Sequence, residues 1–194
     1  MMNVTNKYLR IPLVVISLFA STAIFAENYF THHFSVGTSR ADDSVTIGVR
    51  IPTHFEPATY STSSRMAYKY MDPKTGVATV IEVERVSSSR YAAKGKQTAK
   101  AVSDDFIAFR KSTDKNTKII DTKHEKISPS ITFAHSTSLS SYDGFELAEL
   151  NSIVCDSTDC YSVLYTAASR NSAKQEKLRN LVNLYEKSLH IIPQ

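Results

Sequence analysis

The chain is 194 residues long, 42% hydrophobic and 22% charged, with five glycines, two cysteines and a formal net charge of +4. The positive excess is not gathered into the patch a nucleic-acid binder needs. Lys94, Lys96, Lys100, Arg110, Lys111, Lys115 and Lys118 are diluted by Asp104, Asp105, Asp114 and Asp121, so these charges read as the solvated side of a helix and loop, and nucleic acid is excluded as the expected partner.

Lys7 and Arg10 sit in an acid-free start, followed by the apolar run IPLVVISLFASTAIF from Ile11 to Phe25, then Ala26 and Glu27. A positive region, an apolar stretch and small residues near a cut site are the three parts of a secretory signal peptide. Residues 1–26 are expected to be removed, with cleavage after Ala26 favoured (Ile24 at the third position back) and cleavage after Ala23 (Ser21 there) as the other choice. A membrane span needs about 20 predominantly apolar residues; this stretch is shorter and punctuated by Ser17, Ser21 and Thr22. No transmembrane segment is expected after cleavage, and the lack of a cysteine near the cut excludes a lipid anchor. The leader holds two of the 23 basic residues and none of the 19 acids, so the remaining 168 residues carry only +2. That length suits one domain with a real core, exported to the periplasm or secreted.

Residues 27–43, ENYFTHHFSVGTSRADD, are polar with scattered aromatics and read as a flexible lead-in or an edge strand; a single domain is expected over 44–194. SVTIGVRIP, from Ser44, alternates Val45, Ile47 and Val49 on one face of a half-buried strand, and Pro52 stops it. Thr53 to Ser64 reads as loop. RMAYKYMDPKTGVATVIEVERV, from Arg65, reads as a hairpin. Its turn is Asp72-Pro73-Lys74-Thr75-Gly76, where proline presets φ and glycine supplies a positive φ, and its second arm sets Val77, Thr79, Ile81 and Val83 on one face.

From about Tyr91 to Ser112 the period changes. Ala99, Val102, Phe106 and Phe109 fall at helical spacing as one apolar stripe, with Gly95 weakening the first turn. Strands return at Lys118 to Ser128, which alternates only partly and is bounded by Pro129, and at Ile131 to Ser140. Asp143-Gly144 is a two-residue hairpin signal, and Phe145 to Val154 is the returning arm. After the cysteine loop, YSVLYTAA sets Tyr161, Val163, Tyr165 and Ala167 on one face. Ser172 and Gln175 have capping-box spacing ahead of a helical stripe of Leu178, Leu181, Val182, Tyr185 and Leu189, with Pro193 beyond it. The order is α+β: an antiparallel β-sheet flanked by two amphipathic helices.

This order, the opening VTIGVRIPTHFEPA and the closing LRNLVNLYEKSLHII resemble the PsbP-like superfamily, which includes DcrB-like bacterial envelope proteins. Members open with a strand ending in a proline-containing turn and close with a helix whose last turn carries a serine and apolar residues, as Ser188, Leu189, Ile191 and Ile192 do here. The likeness covers most of residues 44–192. Many members have a tryptophan after the opening proline, where this chain offers Phe55. The resemblance implies a PsbP-like α/β/α sandwich and a non-enzymatic, partner-binding role, and it carries over no binding residue.

Cys155 and Cys160 lie in IVCDSTDCYSV. A redox pair wants C-x-x-C in a positive setting, whereas here the spacing is C-x4-C and Asp156 and Asp159 would raise thiol pKa; a zinc site lacks a second ligand pair. In an exported protein the expected state is a structural disulfide across a hairpin tip, with Asp156, Ser157, Thr158 and Asp159 offered to solvent. His32, His33, His54, His124, His135 and His190 show no metal-ligand spacing, and no glycine pattern cradles a phosphate, so no metal or cofactor is expected. A hydrolase set can be imagined from His135, Asp143 and one of Ser136, Ser138, Ser140 or Ser141, but without the G-x-S-x-G elbow, and serine abundance makes such sets easy to assemble. No catalytic residue is assigned. Tyrosines are numerous (Tyr60, Tyr68, Tyr70, Tyr91, Tyr142, Tyr161 and Tyr165), and tyrosine suits interfaces as well as half-buried strands. The hairpin around Tyr68, Tyr70 and Met71 is the first candidate for a protein-partner surface. Two readings follow: an exported binding or accessory protein, or a small exported hydrolase built from scattered Ser, His and Asp residues.

Overall fold

The computed structural model describes residues 28–37, 44–59, 65–86, 98–156, 159–170, 175–187 and 189–193. The expected leader with both cleavage positions, the first turns of the expected helix with Gly95, and the capping residue Ser172 lie outside the described residues. The elements run β1 (Tyr29–Gly37), β2 (Ser44–Pro52), β3 (Glu56–Pro57), β4 (Arg65–Met71), β5 (Ala78–Val86), α1 (Ala99–Thr113), β6 (Lys118–Lys126), β7 (Thr132–Tyr142), β8 (Phe145–Cys155), β9 (Cys160–Ser169), α2 (Gln175–Glu186) and β10 (Leu189–Pro193).

The strands form two sheets, one ordered β1-β2-β10 and one ordered β3-β4-β5-β9-β8-β7-β6, with every pairing antiparallel. The turns obey local chemistry. Asp72 accepts from the Lys74 amide at 2.8 Å and the Thr75 hydroxyl at 2.6 Å, and Gly76 takes φ 65°. At the β7–β8 tip Asp143 and Gly144 take φ 50° and 76°, the left-handed pair a two-residue hairpin requires.

Alternate residues of a strand point to opposite faces, and on the larger sheet the two faces differ in kind. On one face Ile81, Val83, Leu150, Val154, Val163, Tyr165 and Ala167 join Ile47, Val49 and Ile51 of β2 with Leu178 and Val182 of α2 in one buried cluster. On the other, Ala99 and Val102 of α1 pack on Ala134, Ile153 and the cystine. The chain is thus α+β, with each helix held against a different set of sheet residues.

One choice left open by the sequence is decided, and two features depart from its reading. Tyr29–Gly37 is an edge strand of the small sheet, paired along its length with β2, which is the second of the two readings of the lead-in. The last helix ends at Glu186, so Leu189 does not continue its stripe: Leu189, Ile191 and Ile192 belong to a strand, with Leu189 opposite Val49 and Ile191 opposite Ile47. β-branched residues followed by proline suit a strand better than a last helical turn, and β2 has an open edge to receive them. This removes the tail pattern on which the PsbP-like resemblance partly rested. Finally, Phe109 is 60% exposed, and Arg110 turns inward in its place. Beneath this end of α1 the sheet offers Ser138 and Glu149, so a cation fits where an aromatic ring would not.

Glu149 is 2% exposed, pairs with the Arg110 guanidinium and lies 3.5 Å from the Ser138 hydroxyl. Burial pushes its carboxyl above the usual carboxylate range, outweighing the downward pull of Arg110. A second ion pair, Arg65 with Glu82 at 2.6 Å, spans the strands β4 and β5. A raised carboxyl pKa means the folded chain holds that proton more tightly than the unfolded one. Folding is therefore favoured by this group increasingly as pH falls from above the folded value toward the unfolded one. Arg110→Ala strands the carboxylate in a buried place and is expected to cost about 3 kcal/mol at neutral pH, the low end for breaking a buried pair. The deficit should shrink as pH falls through the raised Glu149 pKa; urea unfolding at neutral and mildly acid pH checks this, and an equal deficit at both would show that charge on Glu149 is not its cause.

Candidate functional site

At the β6 end of the large sheet, α2 and the strands β6 and β7 enclose an open cleft of about 490 Å³, within the range of about 300–1,000 Å³ usual for small-ligand sites. Its floor is β7, where Phe133, His135 and Thr137 share the face that α2 covers farther along the sheet. His135 is buried, with Nε2 3.4 Å from Asp121 Oδ2 and Nδ1 3.9 Å from Glu186 Oε1. One imidazole therefore bridges β6 and the end of α2.

β6 shapes the near wall through an irregularity. Its register against β7 shifts between Ile119 and Asp121, a bulge of the kind that re-aims side chains and accounts for the partial alternation in its sequence. Ile120 is left exposed, and it lines the cleft together with the exposed Leu184 of α2. Arg179, Asn183 and Lys187 add donors from α2 and its end. Sequence reasoning missed this site. The spacing of 179, 183 and 187 was visible, but the strands that face it are more than forty residues away in sequence.

The imagined hydrolase set is not brought together. His135 faces the α2 side, whereas Ser136, Ser138 and Ser140 fall on alternate positions of β7 and face the α1 side, Ser138 towards Glu149. Ser141 donates to Glu146, and Asp143 forms the hairpin tip. Both ring nitrogens of His135 face carboxylates, so the groups it meets are acids.

The tyrosine hairpin is likewise divided by the period-2 alternation. Tyr68 and Tyr70 turn towards the core, Tyr68 edge-on to Phe30 at 5.4 Å and Tyr70 edge-on to His54 at 4.3 Å, and burial raises the Tyr68 pKa. Met71 points the other way and is 59% exposed, so the three do not make one continuous surface. Tyr60 and Tyr91 lie outside the described residues. Phe55 is a core residue against Tyr70 and Tyr185.

Cys155 and Cys160 are joined in a disulfide, directly opposite one another in the β8–β9 register with Cα atoms 4.1 Å apart. The acids of the tip are not simply offered to solvent. Asp156 is 3% exposed and accepts from the Asp159 amide at 2.6 Å, while Asp159 takes both nitrogens of the Arg85 fork, at 3.1 and 2.5 Å. Ser157 and Thr158 lie outside the described residues. Among the described residues no group of three or more His, Cys, Asp or Glu is arranged to hold a metal ion, and no helix is long and apolar enough to cross a membrane.

No family model and no curated protein sequence matches this chain. Among solved structures, it is similar to the crystal structure of LpqN, involved in cell envelope biogenesis of Mycobacterium tuberculosis. The TM-score is 0.48 and the identity 12%, over 84% of this chain and 92% of that one.

The disulfide gives a direct test. Thiol labelling of the native protein, purified without reductant, is expected to modify neither cysteine, and two labelled thiols would refute the bridge. Replacing both cysteines by alanine is expected to lower stability by about 2 kcal/mol through the freed chain entropy of so short a loop, read as a lower urea midpoint.

Proposed function

We propose that this chain is an exported, non-enzymatic binding or accessory protein of the bacterial envelope or secreted fraction, acting through contacts with another protein. The observation that carries the reading is the cleft between α2 and the β6–β7 edge. It is open, mixed in character and lined by donors from α2 that make no ion pair among the described residues. These are groups that recognise. His135, the one buried histidine that lines it, is engaged by two carboxylates in place of a nucleophile.

Export is supported from two sides: the leader-like N-terminus, and a disulfide of the kind that persists in oxidising compartments. A PsbP-like α/β/α sandwich remains the finer reading of the fold, favoured by helices packed on two sets of sheet residues. No observation favours the hydrolase alternative, since the alternation of β7 parts His135 from Ser136, Ser138 and Ser140, and Ser141 donates to Glu146.

Cross-linking in intact cells with a short amine-reactive reagent, followed by purification of this chain, tests the proposal. A discrete, stoichiometric protein adduct formed outside the cytoplasm is expected. Recovery of the chain from the cytoplasm, or purified protein that turns over ester or peptide substrates with activity lost in His135→Ala, would overturn it.

A further inference from the structure

We propose that the cleft beside α2 recognises an extended acidic segment of the protein partner, its carboxylates taken by Arg179, Asn183 and Lys187. This rests on the protein-binding reading above and names the chemistry of the partner.

The three residues stand at successive i+4 positions, so they form one row along the cleft side of α2 and its end, neighbours about 5–6 Å apart between Cβ atoms. The row spans eight residue steps, roughly 12 Å at the helical rise. Arg179 and Lys187 have no carboxylate partner among the described residues. The two acids of the cleft, Asp121 and Glu186, already face the two ring nitrogens of His135. Among the described residues the row itself is left with unmet donor capacity: a guanidinium fork, an ammonium and a carboxamide. The fork suits a carboxylate in particular, because it can donate two parallel hydrogen bonds.

An extended peptide places side chains i and i+2 on one side, roughly 6–7 Å apart at about 3.3 Å per residue. That period is close to the spacing of the donor row, so acids at alternate positions can meet successive members of it. Ile120 and Leu184 supply apolar contact for the methylenes between. A neutral strand would leave the cations without partners, and a basic one would meet them directly. Asp121 and Glu186, both largely exposed, oppose an anionic ligand, and they keep acidic small molecules and unrelated acidic surfaces weakly held.

The test uses the disulfide-intact exported protein and capped peptides of sequence Gly-Glu-Gly-Glu-Gly and Gly-Gln-Gly-Gln-Gly, titrated calorimetrically at low ionic strength. The glutamate peptide is expected to bind about tenfold more tightly than its glutamine counterpart. Arg179→Gln with Lys187→Gln should abolish that difference, Lys74→Gln on the distant β4–β5 turn should leave it unchanged, and Asp121→Asn should enlarge it. Both cleft substitutions lie at exposed positions, and an unchanged thermal midpoint confirms that the fold is kept. Equal binding of the two peptides, or no loss in the double variant, overturns the proposal. So does free glutarate binding as tightly as the glutamate peptide, which would make the cleft a small-dicarboxylate site. A cross-linked partner retained undiminished by the double variant overturns the cleft as its seat while leaving the protein-binding reading intact; the absence of any adduct in the native chain overturns the reading itself.

Discussion

Strand β8 alternates between two incompatible environments, and the placement of the other elements follows from which of them each can cover. Ala148, Leu150 and Val154 point to one side and require an apolar partner, which α2 and β2 provide. Glu149 and Asn151 point to the other side, where they are equally buried. A buried carboxylate is tolerable only when it is paired and hydrogen-bonded, so the element above it must bring a cation at the right height. α1 does so with Arg110, while its first turns still cover Ile153 and the cystine with Ala99 and Val102. The helix is thus apolar at one end and ionic at the other because the sheet beneath it is.

The second constraint is closure of the apolar face. The small sheet reaches it with Ile47, Val49 and Ile51, and it is completed by the last strand of the chain, whose Leu189 and Ile191 pack against the same cluster. Early and late segments of the chain therefore stabilise each other, and neither would bury its apolar residues alone. Aromatic rings bridge the join. Tyr165 stacks on Tyr185 at 5.3 Å, Tyr185 meets Phe55, and Phe55 meets Tyr70. Of the tyrosines that suggested an interface, Tyr70 and Tyr165 belong to this column, where a large apolar face with a polar tip is useful at the boundary of a core.

What was legible in the sequence was local. The Asp72 and Asp143-Gly144 turns, the inward set of β9 and the cystine follow from near neighbours in the chain, and near neighbours are what periodicity and turn chemistry report. The strand character of Leu189 to Pro193 was hidden because Leu189 satisfies a helical stripe from Tyr185 as well as a strand alternation with Ile191. Only the open edge of β2, about 140 residues earlier, decides between them. Phe109 and Arg110 were misjudged for the same reason: helical spacing identifies a stripe, but Glu149 determines which residue of that turn faces inward. The cleft was not legible at all. It needs the β6 bulge, the floor of β7 and the end of α2 together, and none of the three carries a motif.

The same alternation that builds the fold limits its chemistry. A strand can present a histidine and a serine to one another only from positions of equal parity or from different elements. β7 sets His135 at unlike parity to Ser136, Ser138 and Ser140, so those hydroxyls enter the polar layer under α1 while its imidazole enters the cleft, and Ser141, of like parity, donates to Glu146 instead. In the cleft the ring nitrogens of His135 lie 3.4 Å from Asp121 of β6 and 3.9 Å from Glu186 of α2. The bulge at Ile119/Asp121 adds an apolar contact at the rim, and the donors of α2 lie across from it. The β7 floor, the apolar contacts at the rim and the spaced row of donors are what the proposed recognition of an acidic segment rests on, and in that proposal specificity comes from the spacing of charges along the helix.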